Sequence, residues 1–200
     1  MITPTTITNF NRTEEELEEF LIFAILVAGK KAKQQAKKLD AFLNDKKTLG
    51  LSSNTTPFDY LEYLIKGNQL THVMMKHKLG QYKRLLVAFL GILRFKGNLK
   101  NVTIEELESI NGIGSKTSRF FVLHSRPNHK IAVLDTHILK WLNKVTGIPM
   151  PKNTPSSKKK YKEIEQLFLS EASKRNKDVA TLDLEIWNYY SNPNQNLPLP

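Results

Sequence analysis

Lys116 and Asp135 are the two side chains whose type and setting in this sequence suit covalent chemistry. Lys116 stands two residues beyond the turn Ile110-Asn111-Gly112-Ile113-Gly114, in the first turn of a helix expected from about Ser115 to His124. There the positive end of the helix dipole works against an ammonium group. A free amine so placed can act as a nucleophile and close a Schiff base. Asp135 lies 19 positions further on (135 − 116), where a helix carrying Ile138, Leu139, Leu142 and Val145 begins. A carboxylate beside a nucleophilic amine can orient it and stabilise positive charge developing on a sugar ring. Plainer roles exist for each: a lysine beside such a turn can simply touch a phosphate, and an aspartate at a helix start can be an N-cap. The two together favour the catalytic reading, with which an N-cap role is compatible.

The turn itself suggests the ligand. Gly112 and Gly114, one residue apart, let the chain turn sharply and leave its N–H groups bare. With the N-terminus of the following helix, the amides of Gly112, Ile113, Gly114 and Ser115 form a cradle for a phosphate oxygen. Such a contact holds a duplex without reading its sequence. A helix connection that merely needs small residues is the bland alternative.

Composition agrees with an anionic partner. Among 200 residues, Lys and Arg number 30 against 19 Asp and Glu, a formal charge of +11, and the pI is near 9.7. That balance suits nucleic acid, with an anionic membrane surface the weaker reading. Lysines cluster at Lys30–Lys38 and Lys158–Lys162. Cysteine is absent, which excludes disulfides, thiol catalysis, zinc–thiolate sites and iron–sulfur clusters. The longest apolar stretch, Phe20 to Ala28, is too short to span a bilayer and follows acidic residues. The expectation is a protein with no membrane partner and no secretion signal. No P-loop, dinucleotide fingerprint or His/carboxylate metal spacing occurs.

The elements that must position these residues read as helices throughout. Residues 1–12 form a Thr- and Asn-rich lead-in, extended or poorly ordered. Thr13 with Glu16 makes a capping box for a helix whose face is Leu17, Phe20, Leu21, Ala24, Ile25 and Ala28, ended by Gly29. A second helix spans about Lys31 to Phe42. Thr56-Pro57 opens a third, and others are expected over Leu70–His77 and Gln81–Phe95. Thr103 with Glu106 repeats the capping box ahead of a short helix to Ser109. Arg126 to His129 is a loop, and Pro149 to Ser157, with three prolines, is a linker or surface loop. Helices over Lys158–Ser173 and Asp178–Tyr189 precede an irregular tail at 191–200. Strand signals are nearly absent, so the fold class is all-α.

GIGSKT and LDTH at this spacing, inside a helical chain of this length, resemble the helix–hairpin–helix DNA glycosylase superfamily, the endonuclease III and 8-oxoguanine DNA glycosylase-lyase type. The resemblance covers residues 13–190, with the hairpin motif at about 103–124. It implies a two-lobed helical glycosylase fold with an active-site cleft between lobes, the second lobe including the N-terminal and C-terminal helices. Lys116 matches the lysine that attacks C1′ of the damaged nucleotide, expels the base and forms the Schiff base that permits strand cleavage. Asp135 matches the aspartate of the motif. The carbonyls of Glu108, Ile110 and Ile113 match those that hold a monovalent cation, Na+ or K+, in some members. Leu79-Gly80-Gln81-Tyr82 is similar to the minor-groove loop, with polar Gln81 where relatives often place an apolar wedge. Gly29-Lys30-Lys31 replaces the segment with which endonuclease III contacts the opposite strand.

The missing cysteines point to branches without an iron–sulfur cluster, and Leu182 to Trp187 is similar to the closing helix of small archaeal-type 8-oxoguanine glycosylase/lyases. No cofactor is required on this reading. Trp187, with Tyr189 and Tyr190, could stack on an extruded base, although a Trp at helical spacing from Leu184 is commonly core. His137 could hydrogen-bond near the site or simply pack. The expected function is a bifunctional glycosylase and abasic-site lyase, 8-oxoguanine the first guess, acting as an intracellular monomer on damaged duplex DNA. The alternatives are a monofunctional glycosylase and a hairpin DNA-binding module without chemistry.

Overall fold

Three threonines close capping boxes and so decide where helices start. Thr13 Oγ1 accepts from the Glu16 amide while the Glu16 carboxylate accepts from the Thr13 amide, and Thr103 with Glu106 does the same. Thr56 with Asp59 adds a third box beside the expected Pro57 start. The computed structural model describes residues 2–191 and 199–200, so much of the expected 191–200 tail lies outside the described residues. Among the described residues there are ten α-helices and no strand: α1 (Glu14–Leu26), α2 (Ala32–Thr48), α3 (Pro57–Lys66), α4 (Leu70–Lys76), α5 (Tyr82–Arg94), α6 (Ile104–Glu108), α7 (Ser115–Ser125), α8 (Thr136–Thr146), α9 (Lys158–Lys174) and α10 (Val179–Ser191). The all-α expectation holds.

The chain divides into two compact units, with the division falling inside α7. The first comprises Met1–Pro4 and Asn11–Phe121. Its centre is α1, where every residue from Phe20 to Leu26 is buried; a helix apolar on all sides must be surrounded. It packs against α2, α3 and α5. The Phe20 ring lies 5.5 Å from Phe120 and 5.4 Å from Phe121, which seats the first part of α7 on α1.

The second unit comprises Thr5–Phe10 and Val122–Pro200. Here α10 packs on α8 and α9. Trp141, Leu142, Phe168, Leu182 and Ile186 form the centre of its core.

Three expectations need correction. The N-terminal and C-terminal helices do not group together: α1 belongs with α2 to α6, because its fully apolar girth needs neighbours on every side. Nor is the lead-in loose. Pro4–Thr6 forms a short 3-10 helix, Ile7 is buried, the Asn9 amide donates to the His124 carbonyl at 3.1 Å, and Thr8 Oγ1 sits 2.8 Å from His124 Nδ1. The second helix runs on past Phe42 to Thr48, since buried Leu43 and Asp45 continue its inner face and Gly50 is the first breaker.

Candidate functional site

Glu108 ends α6, Ser115 begins α7, and the hairpin turn lies between them in the first unit. Ile110 and Ile113 are buried and anchor the turn, and the Ile113 amide, expected bare in the phosphate cradle, instead donates to the Ile110 carbonyl at 3.0 Å. The two glycines are not equivalent. Gly112 has φ +92°, and a Cβ there would stand 2.9 Å from Ala88 Cβ and 3.3 Å from the Arg84 carbonyl. Only glycine fits that conformation against α5. Gly114 lies outside the left-handed region, and nothing stands within 4 Å of where its Cβ would be. The sharp turn is therefore the work of Gly112 alone, and Gly114 leaves the start of α7 open on its exposed side.

Lys116 is half-buried in the first turn of α7. The first N–H groups of a helix have no partner within it, so this end favours anions. The Glu108 carboxylate fixes the helix at that end: Oε1 accepts from Arg119 Nη1 at 2.7 Å and from Ser118 Oγ at 3.2 Å. The sequence offered Glu108 only for its carbonyl; its side chain ties α6 to α7. The carbonyls of Glu108, Ile110 and Ile113 are hard oxygen donors within this one turn. Among the described residues no three His, Cys, Asp or Glu side chains are grouped to hold a metal.

Lys30 and Gln81 also lie in the first unit, and both are exposed. Gly80 has φ +74°, and a Cβ there would meet Lys30 Nζ at 3.0 Å, so the loop after α1 touches the loop before α5. Gln81 itself is left-handed, φ +50°, an uncommon state for a residue with a side chain. Arg84 holds this corner together. Its Nε donates to Gln81 Oε1 at 2.7 Å, its Nη2 to the Ile25 carbonyl at 2.7 Å and its Nη1 to the Gly112 carbonyl at 3.3 Å. Burial pulls the Arg84 guanidinium below its ordinary pKa. Sequence reading missed Arg84; its only signal was an i, i+3 relation to Gln81, which surface helices show commonly.

Asp135 lies in the second unit and is an N-cap, the plainer role weighed for it: Oδ1 accepts from the amides of His137 at 2.8 Å and Ile138 at 3.0 Å. Its seat is built by the buried run Ala132–Leu134 just before it. Tyr161 donates its hydroxyl to the Ala132 carbonyl at 2.7 Å and accepts from the Leu134 amide at 3.2 Å. Glu165 accepts from the Ala132 amide at 2.9 Å, and Thr154 donates to the Leu134 carbonyl at 2.7 Å. These three supports were not legible in sequence, since each acts across 20 or more residues.

His137 stacks on Tyr190 with ring centres 5.7 Å apart and planes at 10°, and Tyr189 meets Tyr190 edge-on at 4.9 Å. Burial, then the neighbouring Tyr189, raises the Tyr190 phenol. Trp187 lies on the same helix and is half-buried, whereas the indole at the centre of the core is Trp141.

Residues 5–177 match the Ogg-HhH family model, described as 8-oxoguanine DNA glycosylase. Among solved structures the chain is similar to the Methanocaldococcus jannaschii 8-oxoguanine glycosylase/lyase, crystallised in complex with a 15mer DNA containing 8-oxoguanine. That likeness covers 98% of this chain and 89% of the other, with a TM-score of 0.66 and 24% identity, and it shows a shared fold. Among the described residues no helix is long and apolar enough to cross a membrane.

Proposed function

The chain belongs to the Ogg-HhH family of 8-oxoguanine DNA glycosylases, and from that premise we propose that it excises 8-oxoguanine from duplex DNA and then cuts the abasic strand. The observation that carries this reading is the position of Lys116, in the first turn of α7 directly after the open flank of Gly114. The amides around Gly114 hold a phosphate of the damaged strand, which places the adjoining sugar within reach of an amine. Lys116 Nζ attacks C1′ as the N-glycosidic bond breaks, and the base departs with the bonding electrons and takes up a proton. The amine loses a proton and the ring oxygen gains one as the C1′–O4′ bond opens to the Schiff base; removal of a C2′ proton then forms the C2′–C3′ double bond and expels the 3′ phosphate with the C3′–O electron pair. Asp135 supplies the negative charge that stabilises the cationic sugar.

The damaged base must leave the stack first, at a cost of a few kcal/mol that is lowest for damaged or mismatched pairs. Trp187 offers an aromatic face for it, and Tyr190 is already stacked on His137. The carbonyls of Glu108, Ile110 and Ile113 are the oxygens that would hold a Na+ or K+ ion, which would add positive charge near the bound phosphate. The enzyme works as a monomer, inside the cell with DNA, in base excision repair.

The test is borohydride trapping on labelled duplexes carrying 8-oxoguanine, an oxidised pyrimidine, a mismatched thymine or an abasic site. A covalent band on 8-oxoguanine that disappears in Lys116→Ala is the expected result. A band on another base replaces the substrate, and base release without any band makes the enzyme monofunctional. Intact duplex binding with neither base release nor a band leaves a binding module and overturns the enzymatic reading.

A further inference from the structure

Arg84 contacts three segments of the first unit that are distant in sequence. They are the last turn of α1 through the Ile25 carbonyl, the loop before α5 through Gln81 Oε1, and the hairpin turn through the Gly112 carbonyl. One of these partners, Gln81, holds a backbone conformation that a residue with a side chain does not adopt freely, φ +50°. Such conformations persist where surrounding bonds over-determine them. The guanidinium is suited to this: its donors point in fixed, divergent directions, and each of its three nitrogens reaches a different segment. Lys30 borders the same corner through Gly80.

We propose that Arg84 is a positioning residue that couples the phosphate-holding hairpin to the Gln81 loop, so that the two grip DNA as one rigid unit. The proposal rests on the DNA-binding reading of these two segments given above. Arg84 acts through Gly112 and Gln81 and need not itself touch DNA. Its loss frees Gln81 to leave the left-handed conformation and lets the hairpin shift relative to α5. Affinity then falls because the segments must be ordered at the moment of binding.

The experiment measures binding to a duplex carrying a tetrahydrofuran abasic analogue, which cannot be cut, across a range of salt concentrations. Arg84→Met is expected to weaken binding about tenfold, the size of one lost charge-assisted hydrogen bond. The slope of log affinity against log salt should stay unchanged, because neither Gln81 nor the Gly112 backbone carries charge. A slope smaller by about one marks a direct phosphate contact by Arg84 and overturns the proposal. The double variant Arg84→Met with Gln81→Ala should lose no more than the worse single variant, and additive losses overturn the coupling. Should Arg84→Met fail to fold, Arg84→Lys keeps the charge but cannot bond in three directions; it should show weakened binding at the wild-type slope, and wild-type affinity overturns the proposal. These outcomes are separate from the catalytic reading. Wild-type protein that binds the analogue but traps on no duplex defeats the lyase reading and leaves the coupling test standing.

Discussion

Glu108 Oε1 and Arg119 Nη1 lie 2.7 Å apart, with both side chains about one-fifth exposed, and this ion pair joins the helix before the hairpin turn to the helix after it. The turn can present its amides only if α6 and α7 keep their angle. Glu108→Ala removes one partner of a part-buried guanidinium and one of Ser118 Oγ, both of which also donate to the Ser115 carbonyl, and should lower unfolding stability by about 1–3 kcal/mol. Urea unfolding measures that loss. Binding to the uncut abasic analogue should weaken in the same variant at temperatures where it is fully folded.

The two hairpin glycines should respond in opposite ways. At Gly112 any Cβ meets Ala88 and the α5 backbone at a positive φ, so Gly112→Ala should cost roughly 1–3 kcal/mol in stability. Gly114→Ala has open space and should stay within about 0.5 kcal/mol of wild type. Its added methyl group instead occupies the flank proposed to receive a phosphate, so duplex affinity should fall. Thermal melts and duplex titrations on the pair separate fold from binding, and unchanged affinity in Gly114→Ala would place the phosphate elsewhere.

Asp135 has an observed structural role and a proposed chemical one, and asparagine divides them. Asn caps a helix about as well as Asp, whereas alanine loses roughly 0.5–2 kcal/mol. Asp135→Asn should therefore melt near wild type, and Asp135→Ala should melt lower. Single-turnover base release should fall in both variants if the negative charge serves the reaction. Full activity in Asp135→Asn reduces Asp135 to a cap.

Acid should destabilise the first unit through Asp45. Burial by itself pushes this carboxyl up, but hydrogen bonds from His77 Nε2 and Lys76 Nζ, each 2.7 Å from Oδ2, outweigh it and hold the pKa below the ordinary value. A carboxyl depressed in the fold stabilises it above the unfolded pKa, and the contribution disappears as pH falls through the folded value. The urea midpoint of wild type should drop across that acid range. Asp45→Asn should start lower and show a flatter acid limb.

Tyr161 tests whether the Asp135 seat depends on α9. Tyr161→Phe leaves the Ala132 carbonyl and the Leu134 amide, both buried, without the hydroxyl they share. Stability should fall by about 1–3 kcal/mol. Single-turnover base release should slow as well, since the run leading to Asp135 loses its anchor. An unchanged rate in a folded variant would show that the α8 N-cap alone holds Asp135 in place.

Local features were legible in the sequence because their causes are local. Thr13 with Glu16 and Thr103 with Glu106 mark helix starts through bonds spanning three residues, and the i, i+3, i+4 spacing on α1 marks a buried stripe without any knowledge of what covers it. GIGSKT and LDTH likewise carry their chemistry in residue type and position, and they sufficed to place the hairpin and to nominate Lys116 and Asp135. What the chain does with distant segments was decided only in the tertiary structure. The burial of Ile7 and the Thr8–His124 contact join residues more than a hundred positions apart, so a lead-in that reads as loose is held in place. Gly112 and Gly114 look alike in sequence and differ because α5 lies against one and nothing lies against the other. Arg84 reads as one more basic residue until Ile25, Gln81 and Gly112 converge on it. Local hydrogen bonds and periodicity act within a helical turn and can be read in order along the chain; convergence of this kind depends on packing between helices, which no short stretch of sequence records.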